Sequence, residues 1–309
     1  MDKDRLRDKF RGALLGVAIG DSLGAGLEGY YTISEPIPNE LSPQYTDDTA
    51  MTIGVAESLI RCKCLNPDDI CTQFIKNYER EPWRGYALGP PRIFQMIKNG
   101  YKCSDELDKL LFPGGSYGNG SAMRSTPIGL YYFSCPPETI REKAYICSAI
   151  THSHSLAKEG SALIAYSVSL AVRDEINLLE KLFDFAQLEE YKKKIILIEQ
   201  LIIEKHDRYK ISRALGNGVE AHNSVSSAIY SFIACNTFEE SVKYAVSLGG
   251  DTDTIGAMCG GIAGAKYGMS GIPSKWVKTV ENKEYLIYLA DKLLESCLSN
   301  PETVNSLVS

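Results

Sequence analysis

The chain has 309 residues, 44% of them apolar and 23% charged, with a net charge of −6. This composition excludes a disordered chain, and the acidic balance with no basic run speaks against a nucleic-acid-binding surface. No stretch of about 18 apolar residues occurs, so no membrane span is expected. Asp2, Asp4 and Asp8 spoil the charge pattern of a secretion signal, so a cytoplasmic location is expected. The nine cysteines are scattered without a Cys-x-x-Cys pair and read as reduced thiols.

Helical spacing of apolar residues dominates throughout, and strand alternation is scarce. Helices are predicted over 5–26, 47–63, 67–79, 87–99, 119–133, 137–150, 154–173, 176–206, 224–234, 237–247, 252–267 and 283–297. Breaker clusters at 31–45, 80–91, 112–120 and 268–274 do not separate self-contained halves. The reading is one all-α domain over 1–309.

The first helix carries Gly12, Gly16, Gly20 and Gly24, and a late segment carries Gly256, Gly260, Gly264 and Gly268. Each glycine costs roughly 1 kcal/mol against alanine in an exposed helix interior. A spacing of four places them on one face, where they let another backbone approach closely, as small-xxx-small stripes do. The two striped helices are expected at the centre of the fold, packed on each other. Just past the first stripe, Glu28 in "GAGLEGYY" is a candidate acid or base if that helix ends in a site.

"YTDDTAM" supplies Thr46, Asp47 and Asp48, and "GGDTDT" supplies Asp251, Asp253 and Thr254. Either cluster alone reads as helix capping. Together, with no histidine or cysteine nearby, they suit a hard cation with oxygen ligands, Mg²⁺ or Mn²⁺. Two clusters can hold a metal pair bridged by a shared carboxylate. Between them, "FPGGSYGNGSAMR" has the glycines to turn backbone N–H groups onto an anion, with Tyr117 placed to stack on a base or sugar. It lacks the lysine of a phosphate-binding P-loop. "THSHSL" offers His152 and His154, too few nitrogens for a zinc site; a phosphate hydrogen bond or a capping role is expected instead.

Taken together, "GALLGVAIGDSLG", "YTDDTAM", "GSYGNGSAMR", the Thr-His of "THSHSL", "LGNG" and "SLGGDTDTIGAMCGGIAGAKYG" resemble the ADP-ribosylglycohydrolase family, in the family's order, over residues 11–268. The resemblance implies an orthogonal multi-helix bundle with a central dinuclear cleft holding two Mg²⁺ ions. It implies Thr46, Asp47 and Asp48 as ligands from one side and Asp251, Asp253 and Thr254 from the other, with Asp253 shared. Glu28 matches the glutamate associated with catalysis. Gly115, Ser116, Tyr117, Gly118 and Asn119 match the loop that holds pyrophosphate and adenosine. His152 matches a substrate-contacting histidine, and Gly216, Asn217 and Val219 match a cleft wall. The motifs look closest to the branch acting on serine-linked ADP-ribose, O-acetyl-ADP-ribose and poly(ADP-ribose). Ser155 stands where many members have proline, and the arginine-directed branch shares the metal core. A non-catalytic ADP-ribose-binding or crystallin-like role is the remaining alternative. The expected partner is an ADP-ribosylated protein or ADP-ribose conjugate, acted on by a monomer.

Overall fold

The computed structural model describes residues 2–29 and 37–304, so the start of the breaker cluster at 31–45 lies outside the described residues. In chain order the helices are α1 (Lys3–Gly24), α2 (Asp47–Cys62), α3 (Pro67–Arg80), α4 (Gly89–Lys98), α5 (Asp105–Leu111), α6 (Thr126–Tyr131), α7 (Pro137–Ala149), α8 (Ser155–Val172) and α9 (Leu178–Phe185). They continue with α10 (Glu189–Glu204), α11 (Arg208–Leu215), α12 (Ala221–Ile233), α13 (Phe238–Ser247), α14 (Thr252–Tyr267), α15 (Ser274–Thr279), α16 (Lys283–Ser299) and α17 (Pro301–Val304). Among the described residues there is no strand, only an isolated antiparallel bridge between Gly118 and Glu220. No described helix is long and apolar enough to cross a membrane.

Helices α1 and α14 form the most extensive helix pair in the molecule. They run antiparallel, and the glycine stripes set the register. A Cβ on Gly12, Gly16 or Gly20 would lie 2.4, 2.1 or 2.0 Å from the carbonyl oxygens of Gly264, Gly260 and Gly256 respectively. At Gly24 it would meet the Thr252 carbonyl oxygen at 2.4 Å. Gly268 departs from the pattern: it ends α14 at φ +73°, and a Cβ there would strike the Asp8 carboxylate. Along the seam both helices are buried on their other faces too, with Leu14, Leu15, Val17, Ile19, Ile255, Met258 and Ile262 inside. A helical stretch buried all round belongs in a core. The buried Lys9 ammonium fixes the far end of the pair, donating to the carbonyls of Ala171, Ala265 and Lys266 and to Asp174. A cation on the last carbonyls of two helices suits their dipoles.

The structure redraws two of the predicted helices and adds four short ones. The helix expected over 176–206 is two, α9 and α10, because the chain turns extended at Ala186 and the Gln187 N–H donates to the buried Glu159 carboxylate at 2.5 Å. The helix expected over 119–133 is a short 3₁₀ turn, Asn119–Ser121, followed by α6. The short helices α5, α11, α15 and α17 are additional. The expectation of nine reduced thiols also fails: Cys71 in α3 and Cys103 before α5 form a disulfide, with a Cα–Cα distance of 6.7 Å. The fold, and no sequence spacing, brings that pair together.

Candidate active site

The centre of the molecule gathers the two acidic clusters. The α1–α14 pair places the end of α1 against the start of α14, where the Thr252 hydroxyl donates to the Gly24 carbonyl at 2.8 Å. A 3₁₀ turn, Ala25–Leu27, then delivers Glu28, and the Gly29 N–H donates to Gly250 at 2.9 Å. Glu28, Asp251 and Asp253 each offer a carboxylate oxygen within 4.8 Å of the others. The second cluster arrives on α2. Thr46 is its N-cap, accepting the Asp48 N–H at 3.3 Å, and the Asp47 N–H donates to the Arg84 carbonyl at 2.7 Å. Thr254 donates to Asp48 at 3.4 Å, which links the clusters across 206 residues of sequence.

The capping reading of these residues holds only in part. Thr46 caps α2, and His154 caps α8 by accepting the Leu156 N–H at 3.1 Å. Asp251 occupies the N-cap position of α14 but makes no capping bond. Its carboxylate instead accepts the Asn119 amide at 2.5 Å.

The structure gives a role to Asp21, which sequence reasoning did not place in the site. Fully buried, it accepts the N–H groups of Thr46 at 2.9 and 3.0 Å and of Thr49 at 3.1 Å, and the Thr49 hydroxyl at 2.6 Å. It thereby anchors the start of α2 to α1. A carboxylate ending the apolar run that follows Arg11 was the available signal.

The electrostatics of this cluster call for a cation. Burial, and then the neighbouring Asp253 charge, push the Asp21 carboxyl up to about 7. Burial and then Asp251 do the same for Asp253, also to about 7. Asp47 and Asp48 are raised well above the carboxylate range by burial and by Asp21 and Asp253, and Asp251 is raised chiefly by burial. Glu28, exposed at the rim, is raised by the Asp253 charge and then by partial burial. Buried carboxylates take up protons unless a positive charge compensates them. The buried Asp48 Oδ1 has no hydrogen-bond partner among the described residues. An oxygen-only donor set with an orphaned buried carboxylate oxygen fits a hard divalent cation.

These groups line a cleft of about 300 Å³, within the range of small-molecule sites. Of the residues singled out from sequence, Glu28, Thr46, Asp47, Asp48, Ser116, Gly118, Asn119, His152, Val219, Asp251, Asp253 and Thr254 line it. Gly115, Tyr117, Gly216 and Asn217 do not. Gly115, at φ +87°, packs on the 153–154 backbone. Tyr117 is exposed and meets His154 edge-on at 5.8 Å. Gly216 ends α11 at φ +80°, where a Cβ would overlap Asn223. Asn217 supports the cleft from behind, its amide donating to Leu248 and its carbonyl accepting the Asp251 N–H at 2.8 Å.

Four backbone N–H groups of the glycine loop have partners within the fold. The N–H groups of Gly115, Ser116, Gly118 and Asn119 already donate to Phe112 O, Asp108 Oδ2, Ser116 Oγ and Val219 O, at 2.7, 2.8, 3.3 and 2.9 Å. A row of backbone donors for pyrophosphate is therefore not available at these four positions. Sequence reasoning had no signal for Asp108, whose buried carboxylate also accepts the Ser153 N–H and hydroxyl and so ties the glycine loop to the His152 loop. It also passed over Gly85, Ala87, Gly89 and Pro90, which line the cleft with Phe112. That stretch reads from sequence only as a breaker cluster running into a helix.

Comparison with known proteins agrees with this geometry. Residues 2–302 match the family model described as ADP-ribosylglycohydrolase. The chain is 33% identical to the human (Homo sapiens) protein named ADP-ribosylhydrolase ARH3, over 94% of this chain and 93% of that one. It is 26% identical to the ADP-ribosyl-[dinitrogen reductase] glycohydrolase of Rhodospirillum rubrum, over 90% and 92% respectively. A solved structure titled "ADP-ribosylglycohydrolase-related protein complex" superposes with a TM-score of 0.72 at 25% identity, covering 95% of this chain and 99% of that chain. With both acidic clusters in one cleft and the match running nearly end to end, the chain belongs to the ADP-ribosylglycohydrolase family.

Proposed function

We propose that the protein is a metal-dependent hydrolase of the anomeric bond of O-linked ADP-ribose, in serine-ADP-ribose, O-acetyl-ADP-ribose or the polymer. The observation that carries the reading is the convergence of Asp48 and Thr254 at 3.4 Å beside Glu28, Asp251 and Asp253 in a single cleft. Thr46, Asp47 and Asp48 would hold one Mg²⁺ and Asp251, Asp253 and Thr254 a second, with Asp253 shared. When bound, such a pair supplies positive charge that offsets the buried carboxylates and orients a ribose diol.

The chain's own residues do the rest. Glu28 sits at the rim, within reach of water, where the Asp253 charge and then partial burial raise its carboxyl and so favour its holding a proton. It takes a proton from the water that attacks the anomeric carbon, or hands one to the departing oxygen as the C–O bond breaks. Asn119 holds the Asp251 carboxylate in place, and Asp21 holds Thr46 and Thr49. Such fixed groups lower the cost of orienting the reactants. Phe112 and Pro90 enclose the opposite side of the cleft.

The test is ADP-ribose release, followed by liquid chromatography, from a serine-ADP-ribosylated peptide, an arginine-ADP-ribosylated peptide and O-acetyl-ADP-ribose, each with Mg²⁺ and with EDTA. Magnesium-dependent release from the O-linked substrates alone is expected. Release from the arginine conjugate would move the protein to the arginine-directed activity. Binding of ADP-ribose without release from any substrate would make it a non-catalytic member.

A further inference from the structure

We propose that Arg124 and Thr151 act as positioning residues that fix His152 as a neutral donor, with its single ring proton on Nε2 facing the cleft, for an acceptor oxygen of the bound ligand. The ligand half of this proposal rests on the function proposed above.

Three bonds set the order. Arg124 is fully buried on α3, α7 and the 119–125 turn, with its guanidinium 4.7 Å from the Phe74 ring centre. Its Nη1 donates to the Thr151 hydroxyl at 2.8 Å and to the Gly120 carbonyl at 3.2 Å, and its Nη2 donates to the Cys147 carbonyl at 3.0 Å. A guanidinium has no acceptor, so the Thr151 oxygen accepts. The same oxygen lies 2.8 Å from His152 Nδ1. Thr151 is 1% exposed, and its hydroxyl has no further partner among the described residues. If Nδ1 carried the proton, the threonine proton would be buried without an acceptor, and a buried donor left unpaired is costly. The threonine therefore donates to Nδ1, and the ring proton lies on Nε2.

Nε2 has no hydrogen-bond partner among the described residues, and His152 lines the cleft. Its ring packs against the glycine loop: a Cβ on Gly120 would come within 2.6 Å of Cε1 and 2.9 Å of Nε2, and one on Gly118 within 3.4 Å of Nε2. The Gly-Asn-Gly spacing thus makes room for the imidazole, a use of the loop distinct from anion binding. Burial, and then the Arg124 charge, lower the ring to about 3. The ring is therefore an uncharged donor near neutral pH and not a proton shuttle.

The test reads the ring directly. Protein labelled with ¹⁵N-histidine is examined at pH 7, with the His152 signals identified by their loss in His152→Gln. The parent should show a protonated Nε2 and an unprotonated Nδ1. Thr151→Val removes the hydroxyl that selects this form and should give a mixture of tautomers, with ADP-ribose affinity by calorimetry weaker in proportion to the fraction of rings that lack the Nε2 proton, about twofold for an equal mixture. Thr151→Ser keeps the hydroxyl and should restore both readouts. A parent ring protonated on Nδ1, or a Thr151→Val ring with an unchanged tautomer, overturns the proposal. A changed tautomer with unchanged affinity overturns its ligand half. If the parent binds no ADP-ribose at all, the proposed function fails while the nitrogen shifts still decide the tautomer.

Discussion

Replacing Gly260 by alanine tests the central helix pair with one methyl group. The new Cβ would stand 2.0 Å from the Gly16 carbonyl oxygen, and the Gly16 carbonyl carbon lies at 2.8 Å. Both are backbone atoms of a buried helix, so no rotamer change relieves the clash. The contact must grow from 2.0 Å to at least 3.4 Å, the start of ordinary van der Waals distance. Parting packed helices by that much forfeits dispersion along the whole seam. Overpacking of this kind costs about 1–3 kcal/mol, and a backbone clash belongs at the upper end. Alanine returns about 1 kcal/mol of helix propensity. The net loss is about 2 kcal/mol, a fall in Tm of about 4 °C for a chain of this size. The seam also aligns Glu28 on Asp251 and Asp253, so metal affinity by calorimetry should weaken in the same variant. Gly26→Ala is the control, because its Cβ would find only the Ser42 hydroxyl, at 3.5 Å. A Gly260→Ala protein that melts at or above the parent temperature would refute the close-approach account of the stripes.

The remaining predictions address the cleft and its supports. Glu28→Gln should keep the parent Tm and bind ADP-ribose, because the side chain is exposed, while turnover falls by at least a hundredfold, the lower range for a general acid or base; full activity would remove Glu28 from the mechanism. Without metal, Asp21 and Asp253 hold protons up to about 7 in the folded state against an ordinary 3.8. The folded form therefore binds more protons, and the stability these groups contribute should be greatest below about pH 4 and fall as pH rises through about 7. Thermal melts in EDTA should show that decline, while Mg²⁺ or Asp253→Asn should flatten it; a level profile in EDTA would sink the idea of uncompensated buried charge. Cys71→Ser opens a loop closed by residues 32 apart, so Tm should fall by an amount equivalent to about 2–4 kcal/mol, and a reducing agent should lower the parent's Tm but not the variant's. Equal melts for the parent in both redox conditions would contradict the disulfide.

Much of the site was legible because its residues carry chemistry in short, local patterns. Thr46-Asp47-Asp48 and Asp251-x-Asp253-Thr254 each lie within one helical turn, so their spacing alone suggests a cation site. The residues that escaped notice act across the chain. Asp21 gains its meaning only from the α2 N-terminus 25 residues on, and Asp108 only from the Ser116 and Ser153 donors. Gly115, Asn217 and Tyr117 lie beside the cleft and not in its lining, a placement that spacing along the chain does not contain.

The sequence by itself determined the helical class, the two glycine-striped helices and the two acidic clusters. Each of these is written in spacing, and the physics that reads spacing is local: a face repeats every three to four residues, and a cap lies within a turn. Only the tertiary structure decided that the stripes mesh antiparallel, that Asp48 meets Thr254, and that Cys71 reaches Cys103. It also decided that the glycine loop packs on the His152 ring while the N–H groups of Gly115, Ser116, Gly118 and Asn119 bond within the fold. Those outcomes depend on which surfaces exclude water together and which buried polar groups find partners. Both are properties of the whole packed chain, and no short segment contains them.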